Sequence, residues 1–165
     1  ELILTPIIFG IGAALTASVS INFGSKQFAR ARKIAFTGGI VCFLIIGFIG
    51  LFINLFPQFL YQNFSSNPDV IKYCLKYILI VTPFYCLFGF GQAIYFSSQG
   101  TGKMIKPILV GILRFSCVVL FGYLAVSRNL SIDYVLYSVS IGLIITGVGM
   151  FLCLLGKEWK GLWLS

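Results

Sequence analysis

The stretch NPDVIKYCLKYILIVTPFYCLFGFGQAIYFSS, residues 67–98, contains an apolar run long enough to cross a membrane as a helix. Asn67-Pro68-Asp69 is typical of a helix start, because Asn caps the helix, Pro fits its first position and an acid favours its amino-terminal dipole. At ~1.5 Å per residue, the run from Ile71 to Ser98 exceeds the ~30 Å thickness of a hydrocarbon layer. This stretch therefore predicts a membrane-spanning helix.

Four further apolar runs of similar length accompany it, at residues 2–23, 34–56, 107–126 and 134–155. The chain is 59% hydrophobic and only 10% charged, which leaves too little polar surface to cover a water-soluble globule. The sequence therefore predicts an all-α membrane protein with five transmembrane helices, in which residues 1–165 form one unit.

Basic residues lie at the ends of these runs rather than in one patch, which argues against a nucleic acid partner despite the net charge of +8. The first connection, the third connection and the tail carry eight of them: Lys26, Arg30, Arg32, Lys33, Lys103, Lys106, Lys157 and Lys160. The opposite side carries three, Lys72, Lys76 and Arg128. By the positive-inside rule, we expect the carboxy end in the cytoplasm and the amino end outside the plasma (inner) membrane.

The sequence argues against a metal site and against an enzyme. It has no histidine, and no carboxylate falls in the middle of an apolar run. The five cysteines lie within the runs without metal-binding spacing, so they are expected to be small buried hydrophobic residues. Trp159 and Trp163 in the tail suit the membrane interface.

Polar residues follow a proline inside the third run. Thr82-Pro83 removes a backbone hydrogen bond and predicts a break in the helix. Irregular backbone is tolerated in a membrane only against protein or a water-filled cavity. Tyr85 and Gln92 beyond the break are therefore candidates for the wall of a substrate path, and the alternative is a broken helix that serves only packing.

Two further candidates lie on the first and fourth runs. Arg114 follows Pro107 by about 10 Å along the helix axis at ~1.5 Å per residue, a depth at which an ionisable side chain should face protein or water. Structural pairing and a role in the substrate path both remain open for it. Asn22 ends a stripe of small residues with Gly10 and Ala14, whose spacing predicts close helix packing and alternatively a polar cavity.

The order of these features resembles the multidrug and toxic compound extrusion (MATE) family. Residues 22–31 resemble its small-residue helix, glycine turn and basic entry to the next helix, and residues 57–70 resemble its outer loop. The tenth helix and the following turn of the family are matched by residues 77–83, residues 99–102 and Pro107. Arg114 matches an arginine often found in the eleventh helix.

This resemblance implies that the chain covers helices eight to twelve, a partial carboxy-terminal lobe, of a twelve-helix transporter with two lobes. The chain also begins at Glu1 with an apolar run already under way, and we expect it to be truncated. Such transporters alternate between outward-open and inward-open states and export organic cations or other amphiphiles in exchange for protons or sodium ions.

The resemblance also implies the partners. These are a small cationic or amphiphilic substrate, the lipid bilayer and the missing amino-terminal helices of the same protein. No cofactor is expected beyond the coupling ion. The region around Phe88 has no acid, so we expect the missing half to bind the proton or sodium ion.

Two other functions remain open. A lipid or polysaccharide flippase of the same superfamily usually needs more cations facing its cavity, and only Arg114 offers one, so the exporter is preferred. A stand-alone five-helix subunit of a larger transporter is the second alternative.

Overall fold

A computed structural model describes residues 4–58 and 67–160, and this part of the chain is helical without a strand. The helices are α1 (Thr5–Gly24), α2 (Phe28–Leu55), α3 (Pro68–Val81), α4 (Tyr85–Thr101), α5 (Ile105–Ser127) and α6 (Ile132–Leu154). A three-residue 3₁₀ turn joins α3 to α4, so these two helices form one span of 34 residues. The described residues thus contain five helices that are long and apolar enough to cross a membrane, which confirms the predicted all-α membrane fold.

The turn between α1 and α2 is shorter than the sequence suggests. Gln27 N–H donates to the carbonyl of Asn22, and Lys26 has a φ of 59°, so the chain reverses within residues 25–27. As a result α2 begins six residues before the expected start at residue 34 and includes Arg30 in its first turn. We call the end of the bundle that holds residues 25–33, 102–106 and 155–160 the basic end.

Helix α4 lies at the centre of the bundle, in contact with α1, α2 and α6. Glycines allow this close approach, since a Cβ atom on Gly100 would lie 2.5 Å from the carbonyl oxygen of Thr16 in α1. A Cβ atom on Gly91 would likewise lie 2.9 Å from the carbonyl oxygen of Thr146 in α6. The hydrophobic effect does not drive helices together in a bilayer, because lipid tails are as apolar as the side chains. Van der Waals packing between closely spaced backbones holds them together instead. Helix α5 is peripheral and packs mainly on α6.

The predicted break in the third span is present as the 3₁₀ turn Thr82–Phe84. Side chains of two neighbouring helices bind to it. Asn54 of α2 donates to Thr82 Oγ1 at 2.9 Å, and Ser140 of α6 donates to the carbonyl of Ile80 at 2.9 Å. Thr82 Oγ1 in turn donates to the carbonyl of Ile78. The break is thus held by α2 and α6.

The start of α3 is capped as predicted, because Asn67 Oδ1 accepts the backbone N–H of Asp69 at 3.0 Å. One further contact ties this half of the span to the bundle. Lys76 Nζ binds both carboxylate oxygens of Asp133 at the start of α6, at 2.7 and 2.9 Å. Trp163 lies outside the described residues.

We expect Gly100→Ala to destabilise the fold, because its methyl group would meet the backbone of α1 rather than a movable side chain. Overpacking of this kind costs about 1–3 kcal/mol. Thermal unfolding of the purified protein in detergent measures the effect. Gly111→Ala is the matched control, since a Cβ atom on Gly111 meets nothing within 4 Å. Equal unfolding temperatures for the two variants would contradict the close approach of α1 and α4.

Candidate functional site

One side of α4 carries polar and aromatic residues that the neighbouring helices do not cover completely. Phe88, Gln92, Tyr95 and Gln99 follow one another at intervals of three or four residues, so they share this side. Phe88 is buried, Gln92 and Tyr95 are half-buried, and Gln99 is exposed. The side therefore opens progressively toward the basic end, and we call these four residues the polar face of α4.

Arg114 of α5 reaches this face near its buried end. Its guanidinium Cζ lies 5.0 Å from the centre of the Phe88 ring, within the range of a cation–π interaction. The arginine side chain crosses α6 at Gly142, where a Cβ atom would lie 3.4 Å from Arg114 Cγ. Arg114 is half-buried and follows Ile105 by nine residues, about 13 Å at ~1.5 Å per residue. It thus places a guanidinium group near the middle of α5 against an aromatic ring.

A cavity of about 580 Å³ adjoins Arg114 between α3, α5 and α6. It is lined by Tyr77, Gly111, Arg114, Phe115, Val118 and Val139. Mostly apolar walls with one charged group and one hydroxyl are typical of a site for a small amphiphile.

Tyr85 is the first residue of α4 and precedes Phe88, the buried end of the polar face, by three residues. Its side chain is 4% exposed and belongs to the same apolar cluster as Phe88. Its hydroxyl oxygen is 3.2 Å from that of Tyr77, which links it to the cavity beside Arg114. The structure therefore brings Tyr85 and Arg114 to one region around Phe88, and Gln92 lies one helical turn beyond Phe88.

Asn22 lies elsewhere. It occupies the last turn of α1 at the basic end, and its side-chain amide donates to the carbonyl of Ser18 at 2.8 Å. Gly10 and Ala14 of the same stripe are exposed, and α1 packs instead through Ile8, Gly12, Leu15 and Val19. Within the described residues, the small-residue stripe is therefore not the surface by which α1 joins the bundle.

Sequence reasoning missed Tyr77 and Gly142. Tyr77 and Tyr85 are eight residues apart, about two helical turns. Because Pro83 interrupts the helix between them, their contact could not be predicted from regular helix geometry. Gly142 gave no local signal, because its role depends on the crossing of α5 and α6.

The sequence model of the MatE family matches residues 1–124, which is most of the chain. This chain belongs to the MatE family. Membership identifies it as a transporter sequence of the multidrug and toxic compound extrusion type, as the resemblance predicted, and fits its five apolar helices.

Two proteins described as probable multidrug resistance protein NorM are similar to this MatE chain. The protein of Thermotoga maritima is 26% identical over 102 residues, which are 62% of this chain and 22% of that protein. The protein of Oceanobacillus iheyensis is 22% identical over 105 residues, 64% of this chain and 24% of that protein. The matched part thus spans less than a quarter of each relative. No solved structure matches the chain.

We expect Arg114 and Phe88 to be energetically coupled, because the guanidinium lies over the ring. A double-mutant cycle with Phe88→Leu and Arg114→Gln should give a coupling energy of about 0.5–2 kcal/mol. The free energy of unfolding, titrated with denaturing detergent in mixed micelles, provides the four values.

Arg128→Gln combined with Phe88→Leu is the control cycle, since Arg128 lies at the end of α5 opposite the basic end. Additive effects in both cycles would show that the contact between Arg114 and Phe88 contributes nothing.

Proposed function

We propose that this chain forms helices eight to twelve of a secondary-active antiporter that exports organic cations or other amphiphiles. Protons or sodium ions would be exchanged for the substrate by alternating access of two lobes. The polar face of α4, placed beside Arg114 in the middle of a broken span, is the observation that carries this proposal. The descriptions of both named relatives as probable multidrug resistance proteins support export.

The chemistry of the site suits an amphiphilic substrate. The half-buried Tyr95 offers aromatic surface, Gln92 offers an amide with two donors and one acceptor group, and Tyr85 contributes a hydroxyl. Among the described residues, no hydrogen bond is made by the Gln92 amide, which leaves its donors and acceptor for a substrate or water.

Arg114 shapes which substrate group can bind at Phe88. Its guanidinium occupies one face of that ring, so an organic cation at the same face would meet a like charge. A substrate cation is therefore better placed toward Gln92 and Tyr95, with the apolar part of the substrate near Phe88. This arrangement orients an amphiphile along α4.

Energy coupling is proposed to depend on carboxylates outside this chain. The sequence has four acids, Glu1, Asp69, Asp133 and Glu158, and all of them lie near the chain ends or in the first turn of a helix. Asp133 is bound by Lys76. Among the residues that the structure describes, no acid lies beside the polar face of α4, and we propose that the proton or sodium ion binds outside this chain.

The proposed orientation follows from the charges. The basic end would lie on the cytoplasmic side of the plasma (inner) membrane, and the start of α1 would lie on the outer side. The exporter is preferred to a flippase because Arg114 is the one basic residue at mid-depth in the five spans, and large anionic headgroups require more cations. A stand-alone five-helix subunit would lack the second moving half that alternating access needs.

We expect Tyr85→Phe, Gln92→Leu and Arg114→Gln, made in the protein of the complete reading frame, to slow the efflux of a fluorescent organic cation. Loss of one hydrogen bond of ~0.5–1.5 kcal/mol corresponds to a roughly two- to tenfold decrease. Asn22→Ala is the control, because Asn22 binds within its own helix at the basic end.

Membrane abundance of each variant is measured in the same cells. Wild-type efflux at normal abundance in all three variants would show that Tyr85, Gln92 and Arg114 are not on the substrate path.

A further inference from the structure

A second cavity lies at the basic end, away from Arg114. Its volume is about 330 Å³, and it opens where α4 ends, α5 begins and the chain leaves α6. Its lining includes Ser98, Lys103, Lys106, Pro107, Cys153 and Trp159. A cavity of this size accommodates a small polar group rather than a whole lipid.

The turn that carries Lys103 is held by several hydrogen bonds. Gly102 has a φ of 71°, and its N–H donates to the carbonyl of Gln99 at 3.1 Å. Thr101 Oγ1 donates to the carbonyl of Ser98 at 2.8 Å and accepts the N–H of Lys103 at 3.2 Å. The position of Lys103 at the cavity is therefore set by the fold of this turn.

Trp159 forms part of the lining of this cavity, and its side chain is 4% exposed. It packs in a cluster with Ala31 and Ala35 of α2, Ile94 of α4 and Leu154 of α6. The sequence suggested that Trp159 lies at the membrane interface. The structure buries it at the basic end against α2, α4 and α6, which gives the cavity a packed wall.

The electrostatics of the cavity favour an anion. Lys103 and Lys106 both line it, and α5 starts between them at Ile105. The first turn of α5 contains no acidic residue, and Met104 supplies no side-chain cap, so the backbone N–H groups at this helix start add to the positive potential. The lining of the cavity therefore combines two lysines with a helix amino terminus, and the Lys103 ammonium lies 5.9 Å from the centre of the Phe23 ring in α1.

An apolar surface continues from the cavity along α5. Ile105, Ile108, Leu109 and Ile112 are all exposed, the first of them at 79%. These residues run from the cationic cavity toward the middle of the span. A charged pocket joined to an apolar helix face matches the shape of a phospholipid, whose headgroup and acyl chains need these two environments in this order.

We propose that this cavity binds the phosphate-bearing headgroup of an acidic phospholipid, with the acyl chains lying along the exposed face of α5. The site is separate from the proposed substrate path, because it lies at the basic end and shares no residue with the polar face of α4 or with the cavity beside Arg114. A lipid bound here would join the turn after α4 to the start of α5 and to Trp159.

Native mass spectrometry of the detergent-purified full-length protein tests this site, with dioleoyl phosphatidylglycerol and dioleoyl phosphatidylcholine as probes. We expect phosphatidylglycerol to bind more tightly. Lys103→Gln and Lys106→Gln should each weaken its binding about fivefold, the factor that corresponds to ~1 kcal/mol per cation near an acidic membrane surface. Phosphatidylcholine binding should change little.

Lys26→Gln is the matched control, since it removes one positive charge from the same end without altering the cavity lining. Circular dichroism verifies that each variant keeps its helices. Equal binding of the two lipids, or the same loss from Lys26→Gln as from Lys103→Gln, would overturn the proposal. Competition by inorganic phosphate that abolishes the lipid preference would overturn the lipid assignment and reassign the cavity to a free anion.

Discussion

Backbone hydrogen bonding in a medium without water determines how the third span packs against its neighbours. Pro83 cannot donate a hydrogen bond, so the third span is broken at a depth where lipid could satisfy no carbonyl. Asn54 of α2 donates to Thr82 Oγ1 and Ser140 of α6 donates to the carbonyl of Ile80, so side chains of two neighbouring helices bind beside the break. These bonds fix α2 and α6 on either side of the span. They thereby set the position of Tyr85, where α4 begins.

The position of α4 determines what the site can contain. Its glycines face α1, α2 and α6 and allow the backbones to approach closely, which leaves one side for Phe88, Gln92 and the residues that follow. Gly142 of α6 lets α5 approach closely, since a Cβ atom there would lie 2.6 Å from Val118 Cγ2, and Arg114 passes the same glycine on its way to that side. The close packing of α4 on three sides therefore leaves its fourth side for Arg114 and the aromatic residues.

The apolar runs, the capped start at Asn67 and the break at Pro83 were predictable because each depends on local composition or on a backbone property of one residue. The start of α2 was not, since the left-handed conformation of Lys26 shortens the preceding turn. Tyr85 and Arg114 could be singled out as unusual residues in apolar runs. Their common neighbour, Phe88, and the role of Gly142 could not be foreseen, because they depend on how different spans cross.

Water access to the polar face of α4 distinguishes a substrate path from a packing surface. Gln92→Cys in a variant without other cysteines, compared with Leu113→Cys on the exposed face of α5, can be labelled in membranes with a charged thiol reagent. We expect that the cysteine at position 92 reacts and that an amphiphilic substrate slows the reaction, while the cysteine at position 113 stays unlabelled in lipid. Labelling at position 113 but not at position 92 would contradict this expectation.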